Sequence, residues 1–206
     1  MLHCACFDKF AWLYNPLMKL SGKPREYYRK IKSISNPKKS DSVLDVGGGT
    51  GLVAEYFVHD VKRVVVLDPS RKMLEKIKSD KIERVHGFAQ NIEFAADTFD
   101  IVYCVDAMHH FTNSYKKEDW KKTIAQCIKE MLRVLKKGGT LVIIEFDTEK
   151  PVGRFIEFFE NKIMRWGSCF WTREEFRELF KKYSVDVRIS DLGSYTYVVK
   201  IIKKFK

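Results

Sequence analysis

Three glycines at alternate positions, Gly47, Gly49 and Gly51, follow an apolar run that contains Asp45. Because glycine has no Cβ, the backbone can turn sharply there and a ligand can lie directly against it. A helix predicted over residues 52–59 directs its N-terminal amides toward the same place. The spacing predicts a ligand-binding turn, although a plain tight turn explains the motif equally well when it is taken alone.

A carboxylate stands at the end of the second apolar run. Residues 64–67 are apolar, and Asp68 follows them, 23 positions after Asp45. This is close to the spacing of about 20 residues between a glycine loop and the ribose-binding acid of dinucleotide folds. Asp68 is therefore predicted to accept hydrogen bonds from ribose hydroxyls. The alternative is that Asp68 or Ser70 only caps the next helix.

Two adjacent histidines, His109 and His110, follow the fourth predicted strand. Residues just beyond the carboxyl end of a parallel strand line the binding crevice of such sheets. A histidine in that position can act as a general base near neutral pH. Neutral histidines that order the loop through hydrogen bonds are an equally good interpretation.

The cysteines predict no metal centre. Cys4 and Cys6 stand near His3 without a second half-site, and free thiols in a mobile terminus are the favoured interpretation. Cys104 and Cys127 fall in apolar runs and are predicted to be small core residues.

Four ordered segments resemble the motifs of the class I S-adenosylmethionine-dependent methyltransferases. They are DVGGGTG at 45–51, VVLDPS at 65–70 with Met73 and Leu74, FDIVYC at 99–104, and MLRVLKKGGTL at 131–141. Lys137 stands where proline is usual. Leu52 occupies the place of the third glycine of a nicotinamide fingerprint, which argues against a dehydrogenase.

The resemblance implies S-adenosyl-L-methionine as methyl donor and S-adenosyl-L-homocysteine as product. It also implies a set of cofactor-binding residues. They are Asp45, Gly47, Gly49 and Gly51 for the methionine part, Asp68 for the ribose, Pro69 and Met73 beside the adenine, and in addition Ala89, Gln90, Asn91 and Cys104. Many relatives carry an aspartate where Phe88 stands. The adenine contact is therefore expected to shift to the backbone around Ala89, to Gln90 or to the Phe88 ring.

The beginning of the chain resembles the leader of the ubiquinone/menaquinone-biosynthesis C-methyltransferases. The matching residues are Phe7, Asp8, Ala11, Tyr14, Asn15, Leu20, Ser21 and Gly22. An amphipathic helix is predicted over residues 7–20, with a break at Pro16. In the family this segment closes over the donor, which implies that Tyr14 faces the substrate. A helix that simply packs on the sheet is the alternative.

Residues 147–171 are rich in aromatic side chains. Helical spacing places Phe155, Phe159 and Trp166 on one face, together with Ile163. Such a segment after the fifth strand often covers the substrate in this fold, and its chemistry suits an apolar or planar molecule, such as a quinone ring or a lipid tail. A core helix or a dimer contact is the alternative.

These elements predict an α/β fold: a three-layer αβα, Rossmann-like domain with a mostly parallel seven-stranded sheet and an antiparallel last strand. One domain is expected over residues 1–206. Its parts are a helical cap (1–40), a cofactor-binding core (41–146), the aromatic lid (147–171), and a C-terminal helix and hairpin (172–206). A helix is predicted over 116–135, with a glycine stop at 136–139.

The composition, with 45% hydrophobic and 32% charged residues in a chain of 206, predicts a soluble globular protein. The N-terminus lacks the basic region and apolar core of a signal peptide, so the cytoplasm is the expected location. No apolar run approaches the ~18 residues that span a bilayer. The best prediction is a methyltransferase for a small apolar or aromatic substrate, acting as a monomer or homodimer. The net charge of +11 leaves RNA open as a partner, and a tRNA methyltransferase as an alternative. A non-catalytic methyltransferase-like subunit is the other alternative, supported by Phe88.

Overall fold

The described residues form seven strands in one sheet. The computed structural model describes residues 16, 18, 20–113 and 115–205. The strands are β1 (Ser42–Val46), β2 (Arg63–Asp68), β3 (Ile82–His86), β4 (Phe99–Val105), β5 (Leu135–Phe146), β6 (Val185–Leu192) and β7 (Thr196–Lys203). Their order in the sheet is β3-β2-β1-β4-β5-β7-β6. Strands β1 to β5 are parallel, and β7 runs antiparallel to both of its neighbours. The predicted sheet, with its antiparallel last strand, is confirmed.

Helices cover both faces of this sheet. They are α1 (Lys23–Ser35), α2 (Ala54–Phe57), α3 (Arg71–Leu74), α4 (Trp120–Val134), α5 (Pro151–Phe158) and α6 (Arg173–Phe180). Short 3-10 helices span Met108–His110 and Lys117–Asp119, and a π-helical turn spans Phe159–Ile163.

Two hydrophobic cores lie on opposite faces of the sheet. Successive side chains of a strand point to opposite faces, so the apolar run of β2 is buried on both sides. Val64 and Val66 pack with Tyr27 of α1 in one core. Val65 and Leu67 belong to the other core, to which α4 and α6 contribute. This arrangement confirms the three-layer prediction.

Two helix boundaries differ from the prediction. The helix expected over residues 52–59 is shorter and spans Ala54–Phe57. The helix expected over residues 116–135 begins at Trp120 and ends at Val134.

The predicted glycine stop at 136–139 lies inside β5. Leu135 already pairs with Phe99, and the register shifts before Thr140 pairs with Ile101. Gly138 takes a φ of 77° within this irregular stretch. The chain therefore passes directly from α4 into β5. Gly138 accommodates the irregularity inside the strand.

The segment 147–171 is fastened to the sheet at both ends. Arg173 contacts Asp147 at 2.7 Å and Asp191 at 2.5 Å. A capping box between Thr172 and Glu175 begins α6, as the sequence predicts. Most of the helix expected over residues 7–20, including Tyr14, lies outside the described residues. Within the described ranges, no helix has the length and apolar character to cross a membrane.

Candidate functional site

A cavity of about 800 Å³ opens beyond the carboxyl ends of β1, β2 and β4. Its size falls in the range of small-molecule sites. The structure brings nine of the sequence-predicted site residues together in its lining, namely Asp45, Gly47, Gly49, Asp68, Pro69, Met73, Ala89, Gln90 and His110. The cavity lies at the edge of the sheet where ligands of open α/β folds bind.

The glycine turn after β1 forms a tightly packed wall of the cavity. A Cβ at Gly47, whose φ is 75°, would lie 2.8 Å from the Ala107 Cβ. A Cβ at Gly48 would lie 2.4 Å from the Asp45 Cγ. These approaches are too short for real side chains, so glycine is required for the turn to close over Asp45.

Asp68 links the glycine turn after β1 to the residue that precedes α3. Its Oδ2 accepts a hydrogen bond from the Gly49 amide at 2.9 Å, and its Oδ1 accepts one from the Ser70 amide at 2.8 Å. A carboxylate oxygen can accept more than one hydrogen bond, so a carboxylate is a suitable acceptor for ribose hydroxyls. Ser70 also caps α3, through a 3.2 Å bond from the Met73 amide.

Asp45 lies beneath the turn and exposes 2% of its surface. Burial, with a smaller contribution from the Asp68 charge, raises the pKa of Asp45 to about 8. A buried carboxyl with a raised pKa is a frequent feature of binding sites. A ligand ammonium beside Asp45 would favour its charged form, because opposite charges lower a carboxyl pKa.

The residues after β3 form the far end of the cavity. Phe88 lines it and leaves 54% of its surface exposed. The Gln90 Nε2 donates to the Phe111 carbonyl at 3.0 Å, which ties this loop to the one after β4. Asn91 is exposed and lies outside the cavity lining, where its amide donates to the Phe88 carbonyl at 3.1 Å.

Asp106 and Tyr27 line the cavity beyond β4, and sequence reasoning assigned neither of them a role. The Asp106 Oδ1 is buried, with no hydrogen-bond partner among the described residues, and its backbone has a φ of 46°. Burial and the Glu145 charge raise the pKa of Asp106 to about 7. Burial and the Asp106 carboxyl in turn raise the pKa of Tyr27. The position of Asp106 at the end of β4 was the signal that could have identified it.

The two predicted histidines take different positions. His110 lines the cavity, whereas His109 exposes 1% of its surface and lies outside the lining. The His109 Nδ1 lies 2.7 Å from the Glu145 Oε2, and its ring stacks on Phe170 at 4.6 Å. Burial lowers the pKa of His109, but the charge of Glu145 outweighs this effect and raises it to about 9. This geometry suits His109 for positioning the loop.

One of the three predicted substrate residues of the aromatic segment, Trp166, lies outside the cavity lining but contacts a residue that belongs to it. Trp166 meets the His110 ring edge-on at 5.6 Å. Phe155 and Phe159 are 65% and 43% exposed, lie outside the cavity lining and stack on each other at 6.4 Å. The π-helical turn at Phe159–Ile163 changes the helical period after Phe158, so α-helical spacing does not relate Trp166 to Phe155 and Phe159.

Two further predicted cofactor residues support the cavity from outside its lining. Cys104 is fully buried in the core. Gly51 has a φ of 71°, and a Cβ there would lie 3.1 Å from Ile77. Both residues are placed to shape the strand and the turn.

Comparison with known proteins places residues 44–143 in the family described as "Methyltransferase domain". The ubiquinone/menaquinone biosynthesis C-methyltransferase UbiE of Haemophilus ducreyi is 30% identical over 166 residues, which cover 74% of this chain and 60% of that enzyme. An uncharacterized methyltransferase of Bacillus subtilis, YcgJ, is 28% identical, with 60% of this chain and 47% of that protein covered. The chain thus spans about half to three fifths of these relatives' length.

Solved structures share the fold. The crystal structure of Bacillus subtilis YcgJ superposes with a TM-score of 0.72 at 18% identity, covering 88% of this chain and 99% of that one. A chain from a complex of the Haloferax volcanii Trm112 methyltransferase activator with a methyltransferase superposes with a TM-score of 0.74 at 16% identity, covering 97% and 98%. At these identities the likeness concerns the fold alone.

Proposed function

The chain belongs to the methyltransferase domain family, and from this we propose that it transfers a methyl group from S-adenosyl-L-methionine to a small apolar or aromatic molecule. One observation carries the proposal. A cavity of about 800 Å³ is lined by the glycine turn and Asp68, and also by Tyr27, Asp106 and Phe111. The first group suits the donor and the second suits an acceptor.

The donor side fits S-adenosyl-L-methionine in size and chemistry. The closely packed turn lets a ligand lie against its backbone, Asp68 offers acceptors for the ribose hydroxyls, and Asp45 offers a buried carboxyl for the methionine ammonium. Phe88 offers an aromatic face for the adenine where many relatives have an aspartate. Pro69, Met73 and Ala89 complete this part of the lining.

The bound donor supplies a methyl group on a sulfonium, which already has a good leaving group. The residues of this chain therefore contribute mainly by holding the acceptor in line with that methyl group. Tyr27 and Phe111 offer apolar walls for a planar acceptor, and Trp166 borders this side through its contact with His110. An acceptor that must lose a proton needs a base on the same side.

Asp106 is our proposed base. Asp106 lines the cavity, its Oδ1 is buried without a hydrogen-bond partner among the described residues, and its pKa of about 7 allows it to take up a proton near neutral pH. His110 lines the same region and is proposed to orient the acceptor or to relay the proton. His109, held by Glu145, is proposed to position His110.

The transfer rate should depend on pH through Asp106. Only the ionised carboxylate can accept a proton, so we expect the rate to rise as the pH passes through about 7 and then to level off. The Asp106→Asn variant cannot ionise at this position, and it should lose the step in the profile and at least about 100-fold in rate. Initial rates between pH 5.5 and 9 at saturating donor measure both effects.

His110→Ala tests the other candidate base on this side of the cavity. If the step in the pH profile persists in this variant, His110 is not the base, even where the loss of its orienting role lowers the rate. If Asp106→Asn keeps the step while His110→Ala abolishes it, the base is His110 and our assignment to Asp106 is wrong.

The chemical class of the methyl acceptor is best tested with a labelled methyl donor. Purified protein would be incubated with methyl-labelled S-adenosyl-L-methionine and an extract of its source, which is then divided into organic-soluble, small aqueous, RNA and protein fractions. We expect label in the organic-soluble fraction, since the acceptor side of the cavity is aromatic. The UbiE name of the curated relative also supports a quinone-like acceptor.

The other fractions test the alternatives. Label that ribonuclease removes would replace our proposal with an RNA methyltransferase, for which the net charge of +11 is the supporting feature. Donor binding without label in any fraction would instead favour a non-catalytic subunit. The Asp106→Asn variant serves as the control for transfer that depends on the cavity.

A further inference from the structure

Two histidines and a buried glutamate meet beneath the aromatic segment. One ligand atom from each of His109, His110 and Glu160 lies within 4.8 Å of the others. The His109 Nε2 is 3.7 Å from the Glu160 Oε2. Glu160 belongs to the π-helical turn, whereas the histidines belong to the loop after β4. The cluster therefore joins two separate parts of the fold.

Glu145 fixes the orientation of the His109 ring. The Glu145 Oε1 accepts the Met108 amide at 2.8 Å, and its Oε2 lies 2.7 Å from the His109 Nδ1. A protonated Nδ1 donates a hydrogen bond to this carboxylate oxygen. When the ring carries no second proton, the lone pair of Nε2 faces Glu160.

One carboxylate oxygen of Glu160 is buried here without a hydrogen bond from any described residue. The residue exposes 8% of its surface, and its buried Oε2 has no hydrogen-bond partner among the described residues. A lone pair and a buried carboxylate oxygen that face each other at 3.7 Å repel unless a positive charge lies between them. A proton on the imidazole could supply that charge, and so could a metal ion.

We propose that His109, His110 and Glu160 bind a divalent metal ion of the zinc class. Two imidazoles and one carboxylate form a ligand set that zinc uses in proteins. Bonds of about 2.1 Å in a tetrahedral arrangement separate ligand atoms by about 3.4 Å, close to the distance between Nε2 and Oε2. Glu145 provides the carboxylate that commonly orients a metal-bound histidine.

The two neighbouring rings fit this assignment. The ring centroids of His109 and His110 lie 4.0 Å apart at an angle of 55°, and one nitrogen of each ring lies within 4.8 Å of the other and of a Glu160 oxygen. The Ser168 hydroxyl lies 3.1 Å from the His110 Nδ1, and the Asn161 amide donates to the Ser168 carbonyl. Residues of the aromatic segment thus surround the cluster on the side of Glu160.

A metal ion at this place ties the aromatic segment to the loop that carries His110. Because His110 lines the cavity, the ion would hold the segment against the acceptor side. π-Helical turns occur frequently at functional sites, and here the turn brings Glu160 inward. Asp45 and Asp68, the residues proposed for the donor, take no part in the cluster.

The test measures binding of Zn²⁺ and Co²⁺ to the protein without a histidine tag. After removal of metal by a chelator, zinc is titrated in competition with a chromophoric chelator, and cobalt is followed by its visible absorption. We expect one equivalent to bind, with a cobalt spectrum typical of four-coordination by nitrogen and oxygen. The melting temperature should rise with zinc concentration, because an ion that binds the folded state stabilises it.

Two matched pairs of variants locate the ion. Glu160→Gln keeps the side-chain shape, and we expect it to weaken zinc binding at least about 100-fold, as loss of a ligand should exceed the 10- to 100-fold cost of losing a supporting residue. Glu157→Gln, on the same segment, should bind zinc like the parent. His109→Asn should lose binding, whereas His59→Asn, at an exposed histidine, should retain it.

Several results would overturn the proposal. They are a dissociation constant weaker than about 10 μM for the parent, equal affinities in Glu160→Gln and Glu157→Gln, or loss of binding in His59→Asn. Absence of stoichiometric binding would leave the proton on His109 as the charge that faces Glu160. Because the measurement needs no methyl transfer, it can fail or succeed independently of the proposed activity.

Discussion

Replacing Asp68 with alanine is expected to weaken binding of S-adenosyl-L-methionine by about 1.5–3 kcal/mol, or about 10- to 150-fold. The carboxylate is proposed to accept the ribose hydroxyls, and it also accepts the Gly49 and Ser70 amides. Its removal therefore takes away ligand contacts and loosens the turn against which the ligand lies. Isothermal titration calorimetry with the purified variant measures the loss.

Asp80→Ala is the matched control. Asp80 is an exposed acid that precedes β3, so it lies at the amino ends of the parallel strands, whereas the cavity lies at their carboxyl ends. Its affinity should equal that of the parent. Asp68→Asn keeps one acceptor oxygen at the site, so its affinity for S-adenosyl-L-methionine should fall less than that of Asp68→Ala. An unchanged affinity in Asp68→Ala would remove Asp68 from the donor site and leave its role as a partner of the turn amides.

Replacing Glu145 with alanine is expected to lower the free energy of unfolding by about 3 kcal/mol. The carboxylate exposes 2% of its surface, and it pairs with the His109 ring and accepts the Met108 amide. The variant leaves these donors buried without a partner. We place the loss at the lower end of the range for broken buried pairs, because His109 can relieve part of the cost by losing its proton.

Urea denaturation at pH 7 without added metal measures this loss, and Glu149→Ala is the control at an exposed glutamate on the loop that follows. Glu145→Gln keeps an acceptor oxygen for the amide and should be destabilised less. If Glu145→Ala unfolds at the same urea concentration as Glu149→Ala, the pair with His109 contributes no net stability. The fold would then depend on hydrophobic packing alone at this point.

Features encoded by neighbouring residues could be predicted from the sequence. The uninterrupted apolar run of β2 indicates a strand buried on both faces, and Asp68 at its end marks the binding edge. Thr172 and Glu175 specify a helix start through their own side chains, and the structure has that capping box. Each of these signals is contained in a few consecutive residues.

Features that depend on distant residues could not be predicted in this way. Glu145 and His109 are 36 positions apart, and Glu160 reaches them only because a π-helical turn interrupts the expected period. Phe155 and Phe159 share one helical face, as their spacing predicts, but that face is exposed. Asp106 carries a raised pKa because of burial, which the fold as a whole determines.

The position of β7 has a consequence for the growing polypeptide. β7 lies between β5 and β6, although it follows β6 in the chain. Until residues 196–203 leave the ribosome, β5 presents an open edge with the apolar residues Ile143 and Ile144, and β6 has no neighbour to pair with. Unpaired edges of this kind recruit strands from other chains. The nascent protein is therefore exposed to aggregation over the 49 residues between the end of β5 and the start of β7, and a chaperone that shields this edge would act during that interval.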